Sequence, residues 1–140
     1  MVNFAGTVKR EIGLLDHFDV NALKNAIDSM VATGTGTKTY LGIEEMQKIF
    51  DLEGRNNIPR VGIVLTDGSS FDFQKTTNAA AAAKAKGTVM VAVGFGPDVN
   101  VEELKNIASD PDSKYVIQAK DAKDLANYLQ NLAVYVCREY

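Results

Sequence analysis

A single cysteine, a single histidine, little surplus of charge and no long apolar run set the first limits on this 140-residue chain. With one cysteine, Cys137, no internal disulfide can form, and its place at the end of an apolar helical pattern points to a buried thiol. Counting cysteines leaves the redox compartment open. The lone His17 lies in a loop between Asp16 and Phe18 with no nucleophile pattern beside it, so a Cys–His catalytic pair finds no support. Lys and Arg total 15 against 18 Asp and Glu, a net charge of −3 spread along the chain. That balance carries no electrostatic footprint for nucleic acid or an anionic membrane surface. The apolar runs at Val61 to Leu65 and Val89 to Val93 fall far short of the ~20 residues that cross a bilayer. No charged-then-apolar leader opens the chain, so a soluble protein without membrane insertion is expected.

Phosphate-binding loops are lacking too. Gly36-Thr37-Lys38-Thr39 breaks the glycine-lysine-threonine order at Thr37, and it follows a helix where that motif requires a strand. Gly94-Phe95-Gly96-Pro97 lacks the third glycine of a dinucleotide fingerprint, and Pro97 removes a backbone donor. An enzyme of nucleotide-binding type is therefore not expected.

What is present is 46% hydrophobic and 24% charged residues, enough apolar material for one domain over residues 1–140. Met1 to Ala5 and Val8 to Leu14 read as a hairpin of extended segments split by Gly6. Asp19 is the N-cap of a helix carrying Leu23, Ile27 and Met30 on one face. After the glycine- and threonine-rich stretch Gly34 to Thr39 comes a second helical pattern through Leu41, Met46, Ile49 and Phe50. Pro59 to Leu65 is a continuous apolar run ending in Thr66-Asp67-Gly68, the pattern of a strand buried on both faces. The alanine tract Ala79 to Ala83 predicts a helix closed by Gly87. Thr88 to Val93 repeats the buried-strand pattern, and Asn100 with Glu103 reads as a capping box before Leu104 and Ile107. Tyr115-Val116-Ile117 is a short strand, and Asp121 opens a last helix with Leu125, Tyr128, Leu129, Leu132 and Val136 in a stripe. Strands alternating with helices of this length predict a doubly wound α/β fold, a mostly parallel sheet with helices on both faces.

In open α/β sheets, functional residues gather in the loops at the carboxyl ends of the strands. Two such stretches qualify, Gly34 to Thr39 and Thr66 to Ser70. Asp67 with Thr66, Ser69 and Ser70, and the threonines Thr35, Thr37 and Thr39, offer hard oxygen ligands and no imidazole or thiolate. That set suits Mg²⁺, Mn²⁺ or Ca²⁺ over zinc or copper. The same residues equally describe an Asx turn after a strand and a loop that caps a helix.

The order of four segments carries a resemblance. Val2-Asn3-Phe4-Ala5, Thr35-Gly36-Thr37-Lys38-Thr39, Val64-Leu65-Thr66-Asp67-Gly68, and Val93-Gly94-Phe95-Gly96 leading into Leu104, Ile107, Ala108, Ser109, Asp110 and Pro111 together resemble the von Willebrand factor A family. The likeness is to its extracellular-matrix type, as in collagen VI and matrilins, and covers nearly the whole chain. It implies a doubly wound fold with a metal-ion-dependent adhesion site (MIDAS) at the carboxyl edge of the sheet. There an Asp-x-Ser-x-Ser motif after the first strand, a threonine of the Thr-x-Thr loop and the aspartate of the Thr-Asp-Gly loop surround one divalent cation. By position the implied ligands here are Thr37 and Asp67, a site only partly encoded, and the implied cofactor is Mg²⁺, with Mn²⁺ or Ca²⁺ as alternatives, if the Asp-x-Ser-x-Ser segment is supplied.

No Asp-x-Ser-x-Ser occurs in the sequence, which opens at what resembles the family's second strand. The implied domain over 1–140 is therefore N-terminally incomplete, lacking the first strand and first helix. It is read as a fragment of a longer polypeptide; donation of the strand by another chain and swapping between copies are the other routes. The family's first strand lies in mid-sheet, so its lack leaves two rows of backbone groups unpaired. The Val2 and Val61 strands are then expected not to pair directly. Many extracellular members bond a cysteine before the first strand to one after the last helix, which leaves Cys137 as half of such a bridge or as a buried free thiol.

The function implied is an extracellular adhesion or matrix-binding module in which an acidic side chain of a protein ligand, collagen or another matrix protein, completes the cation's coordination. The alternative is a scaffold that assembles without metal through exposed sheet edges and helix faces. A second chain or further domains of a longer polypeptide are the other expected partners.

Overall fold

Ten elements follow one another in the computed structural model, which describes residues 1–16, 19–31, 34–121, 123–128 and 130. β1 (Val2–Phe4) and β2 (Val8–Arg10) pair antiparallel, Val2 opposite Arg10 and Phe4 opposite Val8. The Ala5 N–H donates to the Thr7 carbonyl at 2.8 Å and closes the turn between them. The extended stretch expected to reach Leu14 stops at Arg10. Beyond it the Glu11 and Ile12 amides both turn to the Met1 carbonyl, and those of Gly13 and Leu14 to the carboxylates of Asp16 and Glu53.

α1 (Val20–Asp28) opens at the predicted N-cap, where the Asp19 carboxylate accepts from the amides of Asn21 and Ala22. α2 (Thr39–Glu53), β3 (Arg60–Thr66) and α3 (Phe73–Ala85) follow; α3 contains the alanine tract and ends before Gly87, whose φ of +82° turns the chain out of the helix. β4 (Thr88–Phe95) leads to α4 (Val101–Ile107), α5 (Asp112–Tyr115) and β5 (Val116–Ala119). Tyr115 closes the single turn of α5, its amide bonded to the Pro111 carbonyl, where it was expected to open the strand. Residues 123–128 are helical, and the Asp121 carboxylate accepts the Asp124 amide at 2.8 Å. Leu129, Leu132 and Val136 of the expected last stripe lie outside the described residues, as do His17 and Cys137.

β3, β4 and β5 form a parallel sheet in that order, with Val64 beside Ala92 and Val93 beside Ile117. Each parallel pair is joined through helix, the arrangement of the α/β class. β4 is the centre: Met90, Val91, Ala92 and Val93 are all 0% exposed, as its unbroken apolar run requires. α2, α3 and α4 touch in succession and form one layer. Ile43, Ala80, Ala83, Leu104 and Ile107 from that layer join Val64 and Tyr115 in the core. Burial of a side chain the size of Ile43 or Ile107 contributes roughly 1.5–3 kcal/mol.

β3 departs from the expectation of burial on both faces. Gly62, Val64 and Thr66 are buried, whereas Ile63 and Leu65 on the opposite face are 50% and 49% exposed. α2 packs on the buried face through Met46, and among the described residues β3 has β4 on one edge only, with β1 and β2 in a separate sheet. Between β1 and β3 runs a cleft of ≈ 780 Å³ lined on its two sides by Val2 and Phe4 and by Val61, Ile63 and Leu65. α2 joins the two sheets across it. Gly42 of α2 lies so close to Phe4 that an added Cβ would stand 2.7 Å from the ring, and Met46 packs against Gly62 of β3. α1 buries none of its residues; Leu23 and Ile27, on its expected core face, remain exposed.

Candidate functional site

Both loops singled out in the sequence open on one end of the cleft, where Gly36, Thr37, Thr66 and Asp67 form part of its lining. Thr37 is brought there by the hairpin. Gly36 has a φ of +98°, a conformation a side chain resists, and its Cα region approaches Gly6 so closely that an added Cβ would lie 3.3 Å from the Gly6 backbone. The Lys38 amide then donates to the Ala5 carbonyl at 2.9 Å, seating the loop on the β1–β2 turn. Asp67 is delivered by β3, which ends at Thr66 beside Gly94 at the carboxyl edge of the sheet.

The two loops are tied together by one backbone hydrogen bond, from the Phe71 amide to the Thr37 carbonyl at 2.7 Å. Of the hydroxyl groups in the candidate set, each has a distinct fate. Thr66 donates its hydroxyl to the Gly68 carbonyl at 3.1 Å, the local turn that the sequence also allowed. Thr39 is fully buried at the start of α2, with its Oγ1 unbonded among the described residues, and does not line the cleft. Ser70 is consumed by Glu103. Thr35 and Ser69 are exposed and do not line the cleft. Thr37 lines the cleft, and among the described residues no hydrogen bond engages its hydroxyl. The Asp67 carboxylate is exposed, and among the described residues no hydrogen bond or ion pair engages it.

Glu103 is a neighbour of the 66–71 loop whose partner there the sequence did not indicate. Asn100 caps α4 as expected, accepting the Glu103 amide at 3.2 Å, but the glutamate does not return the bond. Its side chain, 1% exposed, reaches 33 positions back: the Ser70 amide lies 3.0 and 3.2 Å from the two carboxylate oxygens, and the Ser70 hydroxyl 2.6 Å from Oε2. Spacing in the sequence could offer only the local capping partner, since nothing local brings Ser70 to α4. A little further on, Asp72 caps α3. The Lys75 amide that its carboxylate accepts at 2.9 Å holds its pKa below the ordinary value.

The chemistry available is that of oxygen donors alone. Among the described residues no three His, Cys, Asp or Glu side chains gather as a metal site. A carboxylate and a threonine hydroxyl on loops that line the same cleft fit a hard divalent cation that keeps most of its coordination for other oxygens. They do not fit a nitrogen- or sulfur-ligated metal, and they supply two of about six positions.

The model of the von Willebrand factor type A domain matches residues 1–131. Matrilin-4 of Mus musculus is 34% identical over 145 residues, covering 99% of this chain and 23% of that protein. Matrilin-1 of Homo sapiens is 38% identical over 122 residues, covering 83% of this chain and 24% of that protein. The chain thus spans about a quarter of the length of these curated relatives. Among solved structures, proximal thread matrix protein 1 from the mussel byssus, with zinc in its MIDAS motif, aligns with a TM-score of 0.83 and 28% identity, over 97% of this chain and 34% of that one. None of these matches indicates an enzyme family. On a family match that runs through nearly all of its length, the chain belongs to the von Willebrand factor type A domain family.

Proposed function

We propose that the domain is an extracellular-matrix adhesion module that engages a protein ligand through a divalent cation held in part by Thr37 and Asp67. The observation that carries this reading is the convergence of those two side chains, 30 positions apart, on one end of one cleft, with their loops bonded through Phe71 and Thr37. A cation there would take the Asp67 carboxylate and the Thr37 hydroxyl, leaving the remaining positions to water, to other oxygens and to an acidic side chain of the partner. When bound, the cation supplies the positive charge that such a carboxylate recognises; collagen and other matrix proteins present this chemistry. Similarity to matrilins and to a byssus matrix protein with an occupied MIDAS supports a role in matrix. Mg²⁺ and Mn²⁺ match the oxygen-only donors better than zinc does, although the byssus protein holds zinc.

Calorimetric titration of the domain with Mg²⁺, Mn²⁺ and Zn²⁺ tests the reading. Saturable binding is expected for Mn²⁺ and Mg²⁺, reduced at least about tenfold in Asp67→Ala, which removes the one charged donor. Equal affinity in Asp67→Ala, or no binding at all, refutes it. A second reading, assembly without metal, is favoured by a different observation, the half-exposed Ile63 and Leu65 beside the open edge of β3. Association that survives a chelator would support that alternative.

A further inference from the structure

We infer that Glu103 is a positioning residue for the candidate cation site, holding the 66–71 loop so that the Asp67 carboxylate is presented toward Thr37. The inference rests on the cation reading above and deepens it. Asp67 has no side-chain bond of its own among the described residues, so its placement comes from the backbone around it. That backbone is held at three points: the Thr66–Gly68 turn on one side, then Ser70 on the Glu103 carboxylate, then Phe71 on the Thr37 carbonyl. Of these, the first two are local or carried by side chains, and only the last reaches the partner loop. Glu103 sets where Ser70 stands, and Ser70 is adjacent to the residue whose amide makes that reach.

A solvated helix face is no account of Glu103, which is 1% exposed. A buried carboxylate is costly unless its oxygens are bonded, and here both are bonded to one residue of the ligand loop. Nor does it serve as the return half of a capping box, the role its position in α4 would give it. Its bonds run instead to the loop that carries Asp67. Charge-assisted hydrogen bonds of this kind are the stronger class, and groups that orient a metal ligand in this way typically govern affinity by about 10–100-fold.

The test compares wild type, Glu103→Gln, Ser70→Ala and Lys84→Met. Glu103→Gln preserves shape but places an amide N–H₂ where Ser70 needs acceptors. Ser70→Ala keeps the buried carboxylate and the backbone bond and removes only the 2.6 Å hydroxyl bond. Lys84→Met perturbs α4 at its far end, where the Lys84 ammonium donates to the carbonyls of Asn106 and Ala108, and leaves the loop alone. Mn²⁺ affinity by calorimetry and amide exchange of residues 67–71 without metal are read on all four. Glu103→Gln is expected to weaken Mn²⁺ binding about tenfold and to speed exchange in the loop by a similar factor, with β4 amides still protected. Ser70→Ala should weaken both by a smaller factor, and decides the matter if Glu103→Gln fails to fold. Lys84→Met should lower stability without changing Mn²⁺ affinity. Wild-type binding with unchanged affinity in both loop variants overturns this inference and leaves the cation reading standing. So does a loss in Lys84→Met equal to that in Ser70→Ala, since general loosening of α4 would then explain the effect. No Mn²⁺ binding by wild type overturns the cation reading and this inference with it.

Discussion

A carboxylate that is exposed and, among the described residues, unbonded, as Asp67 is, is placed by the peptide groups on either side of it. Thr39, two positions from the other candidate ligand, is the reverse case: fully enclosed, with a hydroxyl that finds no partner among the described residues. An enclosed, unbonded hydroxyl loses its hydration with nothing in return. Thr39→Val keeps the shape and removes that loss, so it is expected to raise the unfolding free energy by about 1 kcal/mol, read as a higher urea midpoint at an unchanged m-value. A lower midpoint would mean that the hydroxyl is bonded in solution. At this scale Thr37 and Asp67 were legible because each sits in a short motif of fixed order. Glu103 was not, because a glutamate three positions after an N-cap has a local reading that satisfies the pattern, and its actual partner is 33 positions away.

Elements meet through polar groups at both edges of the sheet. At the amino edge Asp51 of α2 accepts from Lys86 at 2.7 Å, Gln47 at 2.8 Å and Arg60 at 3.4 Å, linking α2 to the start of β3 and the end of α3. The Lys86 bond, followed by that from Gln47, holds the Asp51 pKa below its ordinary value, as the Lys75 amide does for Asp72 at the opposite edge. A carboxyl whose pKa is lower in the folded chain favours folding above the unfolded pKa, and loses that contribution as pH falls through the lowered folded value. Asp51 is exposed and Asp72 only half-buried, so the effect is modest and screened by salt. Urea midpoints should therefore fall on acidification below the ordinary carboxylate value of 3.8. The gap between wild type and Asp51→Asn or Asp72→Asn should be widest near neutrality and close at low pH. A gap that widens on acidification would contradict the assigned shifts. Element identity was largely legible, since periodicity and caps decide helix against strand for β4, α3 and α1. The early end of β2 and the turn α5 were not, because both depend on where amides find partners: Met1, Asp16 and Glu53 in the first case, Pro111 in the second.

For the molecule as a whole, the uneven feature is the cleft. Two strands with an unpaired edge among the described residues, and Ile63 and Leu65 half exposed between them, make a surface that favours contact with further backbone and apolar groups. The chain is expected to self-associate with rising concentration. The double substitution Ile63→Thr and Leu65→Thr, on exposed strand positions that tolerate threonine, should return it to monomer with its circular dichroism unchanged. Light scattering coupled to size exclusion checks this; a wild type that stays monomeric at every concentration counts against it.

The sequence by itself determined the alternation of strand and helix, the parallel α/β class, and the two candidate loops at the carboxyl ends of the strands. Those properties are written in short-range periodicity and in the chemistry of a few adjacent residues. Tertiary structure alone decided which hydroxyls face the cleft, which one Glu103 takes, and that β3 buries one face and bares the other. Each of these depends on what a distant segment brings alongside, and the apolar run of β3 reads the same whether or not a neighbour covers its second face.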